Sequence, residues 1–182
     1  IWNIETYASS TNNIFAINQK ELIEIGSYGE GERPKIYHMN DPDMHESLFS
    51  LYESRDIRFN GIELGARHNT GWNALIYLYS TSDHALISNM TFNGTYRVGI
   101  NAYAENVFIS DSNFYFTDYL SIYGPAPKTS TIGNVFSYPD VSTDSRSGIR
   151  LASIVRDRHH PGKTIFSNNY CFRDGAWCLR AY

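Results

Sequence analysis

Long apolar runs, clustered basic residues and helical periodicity are all missing from this sequence of 182 residues. No apolar run approaches the roughly 18 residues that a membrane span needs, so no membrane-spanning helix is expected. The 15 basic side chains are outnumbered by 19 acidic ones and form no stripe that could neutralise phosphates, which argues against a dedicated nucleic-acid-binding protein. A hydrophobic fraction of 42% excludes a disordered chain, and we expect a single domain over residues 1–182.

Cysteine is scarce as well, with only Cys171 and Cys178, both near the C-terminal end. Their spacing fits neither a C-x-x-C redox motif nor a paired zinc-binding knuckle. Two interpretations stay open: one local disulfide, which implies an oxidising compartment, or two buried thiols. The opening residues, IWNIETYASS, lack the basic and apolar regions of a secretory signal. Either a leader has been removed or the sequence is an excerpt of a longer protein.

Aromatic residues are abundant, since 14 Tyr, 10 Phe and 3 Trp make up 15% of the chain. A composition that is rich in Tyr and Asn and poor in Lys is typical of extracellular β-proteins. The triplets that begin at Asn89 and Asn93 also match the acceptor pattern for N-linked glycosylation. We therefore expect an extracellular or cell-surface location.

Two segment types alternate along the chain, which indicates a repeat architecture. The first type joins an apolar pair to a short polar residue and then to an aromatic or aliphatic one, at 56–64, 84–92, 106–114, 130–136 and 163–172. The second type follows each copy, at 73–79, 97–103, 118–124, 147–153 and 176–182. Corresponding positions are between 22 and 33 residues apart, and the excess length falls in the loops.

Both segment types alternate apolar with polar residues, which predicts short, half-buried β-strands. Because Asn-Gly hairpins between the copies are missing, we expect coils of about 22 residues that pair in parallel as a β-solenoid. The first apolar stack should contain Phe59, Ile87, Ile109, Ile132 and Ile165, and the second Ile76, Ile100, Ile122, Ile149 and Leu179. A ladder of left-handed bend residues should follow the first strand, made of Asn89, Asp111, Asn134 and Asn168. The alternative is a β-sandwich with scattered loop asparagines.

The segment 22–36, LIEIGSYGEGERPKI, runs from an apolar strand into Gly-Ser-Tyr-Gly, a charged turn and Arg-Pro. It resembles the first coil of right-handed parallel β-helix proteins of the pectate-lyase-like superfamily, and the later I-x-N-x-x-F and G-I-x-L segments resemble the coil consensus of that superfamily. The resemblance covers roughly residues 13 to 182, with the first coil at about 13–36. It implies an all-β, right-handed parallel β-helix, a fold that hosts lyases, hydrolases, epimerases, tailspikes, adhesins and non-catalytic shells.

The W-I-D-H and R-x-P-x-x-R patterns of pectate lyases and the N-T-D, D-D, G-H-G and R-I-K motifs of polygalacturonases are missing. Asp83-His84 precedes a strand but lacks the aromatic context and the partner arginines of the lyase pattern. His159 and His160 are adjacent, so on a strand they would point to opposite faces and could not share one metal ion. The sequence therefore leaves open whether the protein is an enzyme.

A positional argument supplies the candidate site. The turn between the two segment types should fall at one edge of every coil, so that its residues stack into a column of aromatic and charged side chains that suits an oligosaccharide. The candidate catalytic residues in this column are Asp118, Asp144 and His68. The candidate substrate-binding residues are Arg67, Trp72, Tyr96, Arg97, Arg146 and Arg173. The alternative is that these are solvated turn residues, some of them in ordinary ion pairs.

Two polar insertions interrupt the repeats. The segment 156–163, which carries four basic or imidazole side chains before Pro-Gly-Lys, should lie at the opposite edge and could close over a ligand or contact another subunit. The segment 39–46 carries acidic groups that could hold Ca²⁺, although a solvated acidic loop is the commoner case.

Two functional hypotheses follow. The first is an extracellular β-helix that binds or processes an acidic polysaccharide, in the latter case as a lyase, epimerase or glycoside hydrolase. The second is a non-catalytic filament, sheath or adhesin subunit that self-associates end to end, because strand-like segments without polar or helical caps occur at both ends of the sequence.

Overall fold

Short β-strands wind through three sheets in a fixed order. The computed structural model describes residues 2–3, 15–38, 47–66, 74–94, 98–115, 120–124, 129–137, 149–151, 165–172 and 179–181. Within these ranges the regular structure consists of strands, numbered here in chain order. None of the described residues belongs to a helix that is long and apolar enough to cross a membrane.

Each sheet takes one strand from every coil. Sheet A contains β1 (Trp2–Asn3), β4 (Lys35–His38), β7 (Glu63–Ala66), β10 (Thr91–Gly94), β13 (Asn113–Tyr115), β16 (Val135–Ser137) and β19 (Tyr170–Phe172). Sheet B contains β2 (Phe15–Asn18), β5 (Phe49–Tyr52), β8 (Ala74–Leu78), β11 (Val98–Ala102), β14 (Leu120–Gly124), β17 (Ile149–Leu151) and β20 (Leu179–Ala181). Sheet C contains β3 (Glu24–Gly26), β6 (Arg55–Asn60), β9 (Asp83–Ser88), β12 (Glu105–Ser110), β15 (Ser130–Ile132) and β18 (Ile165–Ser167).

The chain passes repeatedly from sheet B to sheet C and then to sheet A, so each strand pairs in parallel with the strand one coil later. This arrangement confirms an all-β parallel solenoid and excludes the sandwich alternative. The first segment type, 56–64 for example, contains two strands in different sheets, because the chain bends at Gly61 between β6 and β7. The registered phenylalanines Phe92, Phe114 and Phe136 are 22 residues apart, whereas other registered partners are up to 35 residues apart, as Phe136 and Cys171 are.

Inward-facing side chains form continuous stacks along the solenoid. The register predicted for the second stack is confirmed, because the registered partners are Ile76, Ile100, Ile122, Ile149 and Leu179, and the first three of these are fully buried. In sheet C, Phe59, Ile87 and Ile109 are registered as predicted and are completely buried. In sheet A, the stacked rings of Phe92, Phe114 and Phe136 have centroids 4.5 and 4.9 Å apart. Such stacks bury large apolar areas, which is the main force that holds successive coils together.

The prediction for Ile132 and Ile165 is wrong by one residue. Ile109 is registered with Thr131 and Thr131 with Phe166, so Ile132 and Ile165 occupy outward-alternating positions and Ile165 is 44% exposed. Thr131 is fully buried, and its hydroxyl donates to the carbonyl of Ile165 at 3.4 Å. Hydrophobicity alone would place an isoleucine at this inward-facing position, but threonine is accommodated because its hydroxyl has a hydrogen-bond partner.

The bend between sheets C and A repeats a left-handed residue in successive coils. Asn89, Asp111 and Asn168 have φ values of 52°, 49° and 53°, which confirms three of the four predicted bend residues. In the remaining coil the left-handed residue is Gly133, with φ 68°, and not Asn134. Glycine adopts this conformation without the steric cost that a Cβ brings, which leaves the next residue free to point inward.

Asn134 instead belongs to a buried ladder of polar side chains beside the bend. Its Oδ1 accepts from the backbone N–H of Ser112 at 3.0 Å, and its Nδ2 donates to the carbonyl of Ile109 at 3.1 Å. The pattern continues in both directions, since Asn169 Oδ1 accepts from the backbone N–H of Asn134 at 3.0 Å and Ser112 Oγ accepts from that of Met90 at 3.1 Å. Each side chain thus satisfies a backbone group of the preceding coil at a bend where strand pairing is interrupted.

Candidate functional site

The residues that the sequence analysis assigned to the site lie outside the described residues. This applies to the catalytic candidates Asp118, Asp144 and His68 and to the binding candidates Arg67, Trp72, Tyr96, Arg97, Arg146 and Arg173. It also applies to the insertions 39–46 and 156–163. Each candidate nevertheless falls in a segment between a strand of sheet A and the following strand of sheet B, so the strands that flank these segments end and begin along the same edge of the solenoid.

The cysteines are described only in part. Cys171 lies in β19, is half-buried and packs against the apolar core, whereas Cys178 lies outside the described residues. The bridge between the two stays a prediction.

A row of tyrosines covers the outer face of sheet B near the carboxyl ends of its strands, which is the edge that leads to sheet C and not the edge of the candidate segments. We call it the tyrosine row; its members are Tyr52, Tyr77, Tyr79, Tyr103 and Tyr123. Neighbouring rings touch along the whole row, with centroids 5.3 Å apart for Tyr52 and Tyr79, 4.4 Å for Tyr77 and Tyr79, 5.6 Å for Tyr77 and Tyr103, and 5.8 Å for Tyr103 and Tyr123. The row crosses four coils, or about 14 Å at the usual spacing of paired strands.

The tyrosine row arises from alternation near the carboxyl end of each strand. In β8 the side chains of Ile76 and Leu78 are fully buried in the core, so Tyr77 between them and Tyr79 after them face outward. The signal is present in the sequence as the recurring tyrosines in NALIYLY, INAY and LSIYG, although the site predicted from the sequence lies at the turns and not on this face. Tyr52 and Tyr103 keep 42% and 37% of their surface exposed, so part of the row is open to a ligand.

The environment of the row is apolar at its base. Ala74 and Val98 form a small buried cluster on this face, with Tyr77 and Tyr123 packed against it. Burial, together with the neighbouring hydroxyls of Tyr103, Tyr79 and Tyr123, raises the pKa of Tyr77 to about 12. The phenol of Tyr77 is therefore neutral at physiological pH and available as a hydrogen-bonding group.

Two outward polar side chains beneath the row lack hydrogen-bond partners. Ser50 and Asn101 share one ladder with Tyr77 and are only 2% and 7% exposed. Neither Ser50 Oγ nor Asn101 Oδ1 makes a hydrogen bond. Buried polar atoms without a partner are rare in native proteins and are often found where a water molecule or ligand completes the site.

The outer face of sheet A is different, because its polar groups bind one another. The hydroxyl of Tyr37 donates to Glu63 Oε1, which also accepts from Asn93 Nδ2 at 3.2 Å. Lys35 Nζ lies 3.8 Å from the other oxygen of Glu63. The ring of Tyr37 lies across Gly65, where a Cβ would come within 2.6 Å of it. This network links three coils and pairs both carboxylate oxygens of Glu63 with neighbouring groups.

The outer face of sheet C carries the Asp83-His84 pair. Asp83 Oδ2 lies 3.1 Å from His84 Nδ1, and Asp83 Oδ1 accepts from Asn106 Nδ2 at 2.7 Å. The register places Arg55 beside Asp83. This proximity could not be recognised from the sequence alone. Arg55 Nε is however bonded to Glu21 Oε1 at 2.8 Å, and this contact raises the pKa of the guanidinium further. No cluster of three or more metal-binding side chains occurs in the part of the chain that the structure describes.

Comparisons with known proteins return no match: no family model, no curated protein and no solved structure is significantly similar to this chain.

Proposed function

We propose that this protein is an extracellular, right-handed β-helix similar to the pectate-lyase-like superfamily, and that it binds an acidic polysaccharide along the outer face of sheet B. The observation that carries the proposal is the tyrosine row, whose rings touch one another across four coils. An extended ligand that lies along the solenoid axis would meet aromatic surface at each coil.

The chemistry of the row suits a sugar chain. A tyrosine ring offers an apolar face for the C–H groups of a pyranose and a hydroxyl for its oxygens. The exposed rings of Tyr52 and Tyr103 supply the first property, and the neutral phenol of Tyr77 supplies the second. Few, well-placed polar groups among aromatic side chains are typical of ligand sites.

The residue types at the registered positions of sheet B favour an anionic glycan. The ladder that contains Tyr77, Asn101 and Tyr123 continues with Arg150 and Arg180, and none of these registered positions is a carboxylate. The segments with the other candidate arginines, Arg67, Arg97, Arg146 and Arg173, lie in sequence directly before strands of sheet B. Arginine binds carboxylate and sulfate groups through two parallel hydrogen bonds, which neutral sugars cannot match in strength.

Binding is tested with Tyr103→Ala, because Tyr103 is exposed and is not part of the core. The matched control is Tyr28→Ala, since Tyr28 is fully exposed in the segment between β3 and β4. Calorimetric titration with an oligosaccharide of uronic acid units should show a loss of about three- to tenfold in affinity for Tyr103→Ala and no change for the control. Equal affinities for the two variants, or no binding of any uronic or sulfated glycan, would contradict the proposal and leave the structural hypothesis.

Catalysis is a separate question with its own variant. If the polysaccharide is processed, Asp118→Asn should abolish turnover and leave the affinity unchanged, because the amide keeps the size of the side chain and cannot exchange a proton. Reducing-end release and the absorbance of unsaturated products would distinguish a hydrolase from a lyase. Unchanged product formation in Asp118→Asn would remove this residue from the catalytic candidates.

A further inference from the structure

A groove of about 490 Å³ runs along the outer face of sheet C. It crosses four coils and is bounded by two ladders. One ladder contains Leu22, Asp56, His84 and Asn106, and the other contains Glu24, Arg58, Leu86 and Phe108. The volume is in the range of sites for small molecules and short oligomers.

The groove exists because the first ladder has an unusual backbone. Leu22, Asp56, His84 and Asn106 all have positive φ, between 53° and 56°. A left-handed residue near the start of a strand turns the chain away from the sheet, and its repetition in registered positions produces a continuous concavity. Leucine and histidine pay a steric cost in this conformation, and the fold imposes it in every one of these four coils.

The two halves of the groove differ in chemistry. At one end Leu86 and Phe108 present an apolar floor, and the ring of Phe108 is 38% exposed. At the other end Glu24, Asp56 and Arg58 are exposed side chains that make no hydrogen bond or ion pair within the described residues. Charged groups of both signs therefore line the groove without neutralising one another at contact distance.

The rim of the groove between these halves is held in place by Asp83. One oxygen of its carboxylate accepts from the backbone N–H of His84 at 2.9 Å and from Asn106 Nδ2 at 2.7 Å, and the other lies 3.1 Å from His84 Nδ1. These contacts fix the amide of Asn106 and the imidazole of His84 before any ligand arrives. Fixed polar groups lose little conformational entropy on binding.

We propose that this groove is a second ligand site, and that its ligand is an uncharged polyhydroxylated molecule such as a neutral oligosaccharide. Asp56 and Glu24 would repel an anion and Arg58 would repel a cation, so neither sign of charge suits the whole lining. Hydroxyl groups can donate to the carboxylates and accept from the guanidinium, so a polyol satisfies all three. The exposed ring of Phe108 provides the surface on which one sugar ring stacks.

This site is independent of the proposed function, since it lies on another sheet and takes a ligand of different charge. The test is a titration of the ¹⁵N-labelled protein with the glucose hexasaccharides cellohexaose and maltohexaose, and with an oligosaccharide of uronic acid units as the charged comparison. We expect one of the neutral hexasaccharides to shift the amide resonances of Leu86 and Phe108 in a saturable manner. Phe108→Ala and Arg58→Gln should each weaken this binding about fivefold.

Two control variants distinguish this site from other surfaces. Ile165→Ala removes an exposed apolar side chain from the ladder of Phe108, two coils beyond it and outside the groove, and should change nothing. Tyr103→Ala should weaken binding of the uronic glycan and leave binding of the neutral hexasaccharide unchanged. The proposal is overturned if neither hexasaccharide shifts these resonances at millimolar concentration, if the uronic glycan binds the groove more tightly, or if Ile165→Ala weakens binding as much as Phe108→Ala.

Discussion

Replacing Asn134 by alanine tests the buried polar ladder beside the bend. The side chain is fully buried and supplies the hydrogen-bond partner for the backbone N–H of Ser112 and a donor to the carbonyl of Ile109. Alanine removes both, and each buried backbone group that loses its partner costs about 1–3 kcal/mol. We therefore expect Asn134→Ala to lower the free energy of unfolding by about 2–6 kcal/mol, a large part of the 5–15 kcal/mol typical of a domain.

Urea denaturation followed by circular dichroism measures this loss. For a slope of about 2 kcal/mol per molar urea, the midpoint should fall by about 1–3 M. Asn113→Ala is the matched control, because Asn113 lies only half-buried on the outer face of β13 and its side chain makes no hydrogen bond among the described residues. Its effect should stay within about 0.5 kcal/mol.

A local measurement separates the ladder from general packing. The amide of Ser112 should exchange its hydrogen faster in Asn134→Ala, because its acceptor is gone. The reasoning is refuted if Asn134→Ala and Asn113→Ala have the same midpoint and the exchange rate of this amide is unchanged.

Three further predictions concern the core, the tyrosine row and the outer face of sheet A. Ile109→Asp should unfold the chain, because an unpaired buried carboxylate costs several kcal/mol, whereas Phe108→Asp on the outward neighbour should leave a folded protein by circular dichroism. The pKa of Tyr77 is raised from 10 to about 12, so the folded state holds the phenol proton more tightly than the unfolded state does. The stabilisation that Tyr77 provides is therefore complete below pH 10 and is lost as the pH rises to about 12. Urea midpoints measured across this pH range should fall less in Tyr77→Phe than in the unsubstituted protein. Gly65→Ala should lower the melting temperature by several degrees, since its Cβ would lie 2.3 Å from the backbone oxygen of Asn93, and an unchanged melting temperature would contradict the packing described here.

The sequence was sufficient to predict the parallel stacking, because apolar residues recur at Ile76, Ile100 and Ile122 with spacing that only a coil-by-coil register satisfies. It failed at 130–136, where the most apolar residue, Ile132, was aligned with Ile109. The bend in this coil is made by Gly133. Because the left-handed residue is at this position, the register places Thr131 inward. Hydrophobicity did not reveal this, because the backbone conformation at the bend decides which side chain is buried.

The two surfaces differ in how far the sequence could have predicted them. The tyrosine row follows from alternation, and its members could be found by marking the residue next to each buried aliphatic one. The groove on sheet C could not be found in this way, because the residues that create it, Leu22, Asp56, His84 and Asn106, share a left-handed backbone and no chemical property. The Asp83-His84 pair lacks the lyase pattern in the sequence, and its contact with Asn106 could not be predicted because only the register brings Asn106 to it from the next coil.

Chemical nitration of tyrosines tests the proposed function most directly. Tyr52 and Tyr103 are exposed members of the tyrosine row, whereas Tyr28 and Tyr170 are exposed elsewhere, between β3 and β4 and in sheet A. The protein is treated with tetranitromethane with and without a saturating oligosaccharide of uronic acid units, and the modified peptides are quantified by mass spectrometry. Binding along the outer face of sheet B predicts slower nitration of Tyr52 and Tyr103 and unchanged nitration of Tyr28 and Tyr170. Equal rates at all four tyrosines with the glycan at saturation, or protection confined to Tyr170, would contradict the account.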